Sequence, residues 1–138
     1  MWLFSRYGFF SVACAHVQPG GTGRLNADLL MVRARQRRHL ENLKHRFQAL
    51  SNYEIVTNIG TDYRYRILVP KSVWSSVVAE LVGEQTWSNF KDETARFLGP
   101  ECRDYQDSLH RIWSVLMELQ QNEPASIQPK RKRPRFNR

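Results

Sequence analysis

The chain has 138 residues, 41% of them hydrophobic, with 21 Lys+Arg against 13 Asp+Glu for a net charge of +8. This is the length of one domain, and the apolar and aromatic content is enough for a core, which excludes a wholly disordered chain and a second full-sized domain. No apolar run reaches the roughly 18 residues of a membrane helix, and Cys14 and Cys102 are too few for a disulfide framework.

In chain order, Trp2 to Phe4 and Phe9 to His16 read as a strand with a break near Gly8, where a bulge is expected. Ala13-Cys14-Ala15 has the look of a secretory cleavage site, but Arg6 and Gly8 interrupt the apolar stretch before it, so a buried strand is the simpler reading. After a Pro-Gly-rich loop, Leu29 to Arg35 alternates like a half-buried strand, with Leu30, Val32 and Ala34 on one side. The period then becomes helical. Leu40, Leu43, Phe47 and Leu50 form one stripe.

Tyr53, Ile55, Thr57 and Ile59 alternate again, Gly60-Thr61-Asp62 makes a turn, and Tyr63 to Val69 returns as the second arm of a hairpin. Three helices follow. Ser72 is the expected N-cap of the first, whose face is Trp74, Val77, Val78 and Leu81. Ser88 is expected to cap a second, ended by Gly99-Pro100, and Tyr105, Leu109, Ile112, Trp113 and Leu116 stripe a third, running to about Gln121.

The expected fold is therefore α+β: a four-stranded antiparallel sheet in ββαββ order, a relative of the ferredoxin-like plan, covered by helices, with two to three C-terminal helices. Residues 1–122 make the domain, and 123–138 have the composition of a disordered basic tail.

The charge is unevenly spread. Residues 1–71 hold eleven basic and four acidic side chains, residues 72–129 hold four and nine, and residues 130–138 hold six and none. The excess of positive charge thus belongs largely to the tail, through Lys130, Arg131, Lys132, Arg133, Arg135 and Arg138, which can contact phosphate without folding or sequence specificity.

In the body, alternation with Tyr63, Tyr65, Ile67 and Val69 toward the helices puts Arg64 and Arg66 on the opposite, open face, where Arg33 and Arg35 also fall. Arg offers a planar fork of donors suited to phosphate, so this face is the candidate anion or nucleic-acid site. The bland alternative is solvation, or pairing with Glu54, Asp62 or the acidic helical half. The segregation of Tyr from Arg argues against base stacking on this strand, although Tyr7 and Phe9 would restore it if they share the open face.

Reaction chemistry has little support. Cys14 and His16 are two ligands where a structural zinc site needs four, His39 and His45 lie on different helix faces, and Cys102, read as a surface thiol, has no patterned base. Gly20-Gly21-Thr22-Gly23 lacks the Lys and helix of a phosphate loop, and Asp92-Glu93 is explained by a helix N-terminus. No catalytic residue, metal or cofactor is assigned. An enzyme would have to assemble groups such as Asp62, Tyr63, Arg66, Lys91 and Asp92 in one pocket.

Five blocks, Ser5-Arg6-Tyr7-Gly8-Phe9-Phe10-Ser11-Val12, Met31-Val32-Arg33-Ala34-Arg35, Thr61-Asp62-Tyr63-Arg64-Tyr65-Arg66, Asn89-Phe90-Lys91-Asp92-Glu93 and Ile112-Trp113-Ser114-Val115-Leu116, together resemble a widespread family of small uncharacterised bacterial proteins that begin with Met-Trp. The resemblance spans about residues 1–121 and omits the tail. It implies a bacterial, cytoplasmic, compact domain and carries over no functional residue, since the family has no assigned activity.

The functional expectation is a binding module for nucleic acid or another polyanion. The alternative is an interaction module that meets an acidic protein or a second copy of itself through the open sheet face, with no membrane role.

Overall fold

Ser5 and Gly8 pair across a tight turn that holds Arg6 and Tyr7, and this turn splits the expected first strand into two, β1 (Trp2–Ser5) and β2 (Gly8–His16). The computed structural model describes residues 1–18 and 23–123. Gly8 has φ +144°, a conformation open mainly to glycine, and a Cβ there would lie 2.3 Å from Cγ of His39. The glycine is therefore fixed by a close approach as well as by its backbone. The irregularity expected near it lies instead between Cys14 and Ala15, where the pairing of β2 with β3 (Leu25–Ala34) shifts register.

From Ala34 the chain leaves the sheet and enters α1 (Arg37–Arg46), then a short 3-10 turn, Gln48–Leu50, in place of the single longer helix expected. Two strands follow, β4 (Val56–Thr57) and β5 (Tyr65–Pro70), then α2 (Lys71–Gly83), α3 (Phe90–Leu98), a 3-10 turn at Pro100–Cys102 and α4 (Arg103–Gln121).

The fold is α+β with an antiparallel sheet, and the sheet has five strands, one more than expected, in the order β1-β2-β3-β5-β4. Three consecutive strands form a meander, and the order gives no support to a ferredoxin-like arrangement. β4 is only two residues long, against the Tyr53–Ile59 arm expected, because Tyr53 and Ile55 turn toward the core instead of pairing.

Val12, Val32 and Ile67 lie in one cross-strand row, and Cys14, Leu30 and Val69 in another, facing α1 and α2. Phe10, Leu40, Leu43, Phe47, Trp74 and Val77 complete this layer. Each such large side chain contributes about 1.5–3 kcal/mol by leaving water. The stripes read from the sequence for α1 and α2 are the ones buried.

The caps differ from expectation. α2 starts from Pro70 without a side-chain cap, so Ser72 lies inside it, and Pro70 supplies a suitable φ for a helix start. In α3 Asn89, not Ser88, accepts from the amides of Lys91 (3.0 Å) and Asp92 (3.3 Å). α3 ends at Gly99 with φ +68°. Cys102, read as a surface thiol, is instead buried, as the last residue of the 3-10 turn that joins α3 to α4. No helix among the described residues is long and apolar enough to cross a membrane.

Candidate nucleic-acid interface

The alternate residues of the same strands form the second face of the sheet. One row across it reads Trp2, Ser11, Arg33, Arg66 and Val56; neighbouring rows hold Phe4 with Phe9, and Ala13 with Met31 and Leu68. Arg33 and Arg66 are thus directly opposed across β3 and β5. Like charges so placed repel, and no ion pair among the described residues offsets the repulsion.

Among the described residues, six ion pairs form, and they involve Arg6, Arg37, Arg38, Arg46 and Arg96; none reaches Arg33, Arg35, Arg64 or Arg66. Pairing of the open face with Glu54, Asp62 or the acidic helices is therefore not what these arginines do. Instead, Arg33 donates to Oγ of Ser11 at 2.8 Å, and Arg66 donates to Oγ1 of Thr61 at 2.8 Å and to the carbonyl of Tyr63 at 3.2 Å. Each keeps a buried Nε with no acceptor.

Tyr63 departs from the alternation that would have turned it to the helices. β3 ends at Ala34, so β5 has a partner only from Tyr65 onward, and Tyr63, ahead of the ladder, is free of the pleat. Its ring lies under the guanidinium groups of Arg33 (4.9 Å from the ring centroid) and Arg35 (5.0 Å), and 6.3 Å from the ring of Phe9. Three of the four expected arginines therefore converge on one tyrosine: two on its ring, one on its carbonyl. Arg64 is exposed ahead of β5 and shares in none of these contacts. The tail cations Lys130, Arg131, Lys132, Arg133, Arg135 and Arg138 lie outside the described residues.

Aromatic rings continue the face beyond Tyr63. Phe4 stacks on Phe9 at 4.6 Å, and Trp2, two-thirds exposed, meets Phe9 edge-on at 5.5 Å. Of the two rings weighed from sequence, Phe9 is on this face, whereas Tyr7 is buried on the other side against Phe47 and Phe97. Alternation could have placed Trp2 and Phe4 with Phe9 once the turn at Ser5–Gly8 was recognised. Nothing local could have placed Tyr63.

On the opposite flank of the arginine pair lies a trough of about 560 Å³ with Met31 and Leu68 in its floor and His16, Thr57 and Asn58 along its rim. The open face thus has a trough of mixed apolar and polar lining at one end, which Arg33 and Arg66 help to line, and aromatics at the other. This is the disposition a single strand of nucleic acid requires: cations for the backbone beside flat apolar surfaces for unstacked bases.

The residues weighed from sequence for a reaction site, Asp62, Tyr63, Arg66, Lys91 and Asp92, do not line one pocket. Arg66 is in the trough, while Lys91 sits 4.7 Å from the ring centroid of Trp113 in a separate cleft between α3 and α4. Among the described residues no group of three or more His, Cys, Asp and Glu is placed to hold a metal ion.

A second polar cluster, missed in the sequence, lies in the turn between β1 and β2. Arg6 donates to Glu93 at 2.7 Å and to Glu84 at 3.2 Å, Tyr7 donates its hydroxyl to Glu84 at 2.8 Å, and Arg96 closes on Glu93 from the same helix. Glu93 stands in the first turn of α3, as expected, and is also buried there. Hydrogen bonds from Arg6 and Arg96 hold its carboxyl below the usual carboxylate range. Burial opposes the charge on Arg6, but the hydrogen bonds to Glu93 and Tyr7 outweigh it and keep the guanidinium firmly protonated. This cluster ties the turn to α2 and α3. Each of its charges has an ion-pair partner, Arg46 adding a second cation at Glu84. Although Nε of Arg6 is buried without an acceptor, the opposite charges offset one another within the cluster, which makes its role structural.

No family model, curated protein or solved structure matches the chain, and the functional reading rests on the geometry of the open face.

Proposed function

We propose that this protein is a binding module, not an enzyme, that engages single-stranded nucleic acid through the face of its sheet turned away from α1 and α2. The observation that carries the reading is the opposed pair Arg33 and Arg66, without a carboxylate and each with an unsatisfied buried Nε. A bridging phosphate would accept from both guanidinium groups and remove their repulsion. Arg35 and Arg64 extend the cationic path, Trp2 and Phe9 offer faces to bases, and the basic tail adds affinity without specificity.

Fluorescence anisotropy with a labelled single strand, titrated at several salt concentrations, tests the reading. The double substitution Arg33→Gln, Arg66→Gln in the full chain is expected to weaken binding about tenfold or more at low salt. It should also flatten the slope of log K against log salt by roughly 1 to 2, as for one or two lost phosphate contacts. Absence of binding at low salt would refute the reading. A dimer whose formation is disrupted by the same substitutions and unaffected by oligonucleotide would favour the interaction-module alternative, with a second copy on the open face.

A further inference from the structure

Where β3 gives way to α1, the aromatic end of the open face deepens into a cleft of about 400 Å³ walled by Trp2, Phe4, Phe9, Tyr63 and Tyr105. His39, the third residue of α1, lines it and is only 5% exposed. Its Nδ1 accepts from the amide of Phe9 at 3.4 Å, in the space beside β2 that β3 has vacated. That contact requires an unprotonated Nδ1, so in the neutral ring the proton sits on Nε2. Nε2 is buried and has no acceptor. The ring is held neutral, its pKa lowered to about 4 by burial and by the charge of Arg38.

A buried donor with nothing to donate to, at the wall of an aromatic cleft, is the signature of an absent acceptor. The neighbouring acid does not supply it: Asp104, also in the cleft wall, is engaged by Arg38, Gln36 and the amide of Tyr105. On the sheet side the cleft opens at Arg35, whose guanidinium shares the ring of Tyr63 with Arg33. A ligand must therefore combine a flat ring, an acceptor in the ring's edge and an anion a short distance away.

We infer that this cleft is a base pocket, in which one unstacked nucleobase lies against Trp2 and Phe9, accepts a hydrogen bond from Nε2–H of His39 and leaves its phosphate at Arg35. The inference rests on the reading of the open face as a nucleic-acid surface and adds to it a subsite that reads the base and not the backbone.

The test compares three labelled strands of about twelve nucleotides, oligo-dT, oligo-dA and an abasic strand with the same phosphates, against full-length protein and the variant Trp2→Ala. Trp2 is exposed, so its removal leaves the core intact. Base-bearing strands should bind about tenfold more tightly than the abasic strand, and Trp2→Ala should shrink that ratio while the abasic affinity and the salt slope stay unchanged. In protein labelled with nitrogen-15 histidine, the Nε2 resonance of His39 should move on adding oligo-dT or oligo-dA and stay still with the abasic strand. Equal affinity for abasic and base-bearing strands, or an unmoved His39 resonance under saturation, overturns the base pocket while leaving the phosphate site standing. Failure of all three strands to bind at low salt overturns the surface itself.

Discussion

Arg6 and Arg33 each lie beside aromatic rings, Arg6 against Tyr7, Trp87 and Phe97 and Arg33 against Tyr63, and each is partly buried. They differ in counter-charge. Arg6 meets two carboxylates, while Arg33 meets another arginine. The same side chain is thus a structural tie in the turn between β1 and β2 and a charge without a partner on the sheet. The contrast teaches that net charge is a poor guide to a binding face: what matters is which cations the fold leaves uncompensated after its own acids are spent.

Substitutions that remove one side of this contrast should separate stability from binding. The largest effect on stability is expected from Arg6→Met, which leaves Glu84 and Glu93 close together without their shared cation. Unfolding in urea should show a loss of about 2–4 kcal/mol, with the salt dependence of oligonucleotide binding intact. An equally large loss of binding at full occupancy of the folded state would show that the two sets of arginines are not independent.

The pH response of the helical side comes next. His39 titrates at about 4 in the fold against 6.5 as an ordinary histidine, so the unfolded chain takes up the proton first. Stability is therefore complete above pH 6.5 and declines as the pH falls toward 4, at a slope of up to about 1.4 kcal/mol per pH unit. The groups around the ring are Arg38, which opposes its protonation, and Asp104, which favours it. Glu93, whose carboxyl is depressed, contributes stability above its ordinary value of 4.5 and loses it as the pH drops further through the folded value. Urea midpoints from pH 7.5 to 4 should fall for the native chain and fall less for His39→Gln; parallel curves for the two would sink the assignment to His39.

A smaller effect, opposite in sign, belongs to the open face. Arg66→Gln alone removes one of two opposed like charges, so the folded state should be unchanged or stabilised by roughly 0.2–1 kcal/mol, read from the same urea midpoints. A clear destabilisation would mean that the hydrogen bonds from Arg66 to Thr61 and to the carbonyl of Tyr63 outweigh the repulsion. The smallest is Arg37→Gln, which breaks the exposed pair with Glu41 one turn along α1 and should cost about 0.3–0.5 kcal/mol with no change in binding.

Much of the frame was legible because it depends on local periodicity. The stripe Leu40, Leu43, Phe47 and the alternation of Ile67 and Val69 need no knowledge of distant chain, and all five side chains are buried as read. The open-face placement of Arg33 and Arg66 follows from the same alternation and their register. Alternation puts Tyr63 on the wrong side because its position depends on where β3 ends, at Ala34, far back in the chain. Glu93 is the helix-start charge its position suggests, but only the fold brings Arg6 against it.

The sequence by itself determined the α+β class, the amphipathic faces and the alternation that sorts arginine from valine along the strands, because side-chain period and backbone propensity act over a few residues. Only the tertiary structure decided which charges cancel and which do not. Coulombic pairing joins residues such as Arg6 and Glu93 that no local pattern connects, and it leaves Arg33, Arg35 and Arg66 around one tyrosine without an ion pair to any acid among the described residues.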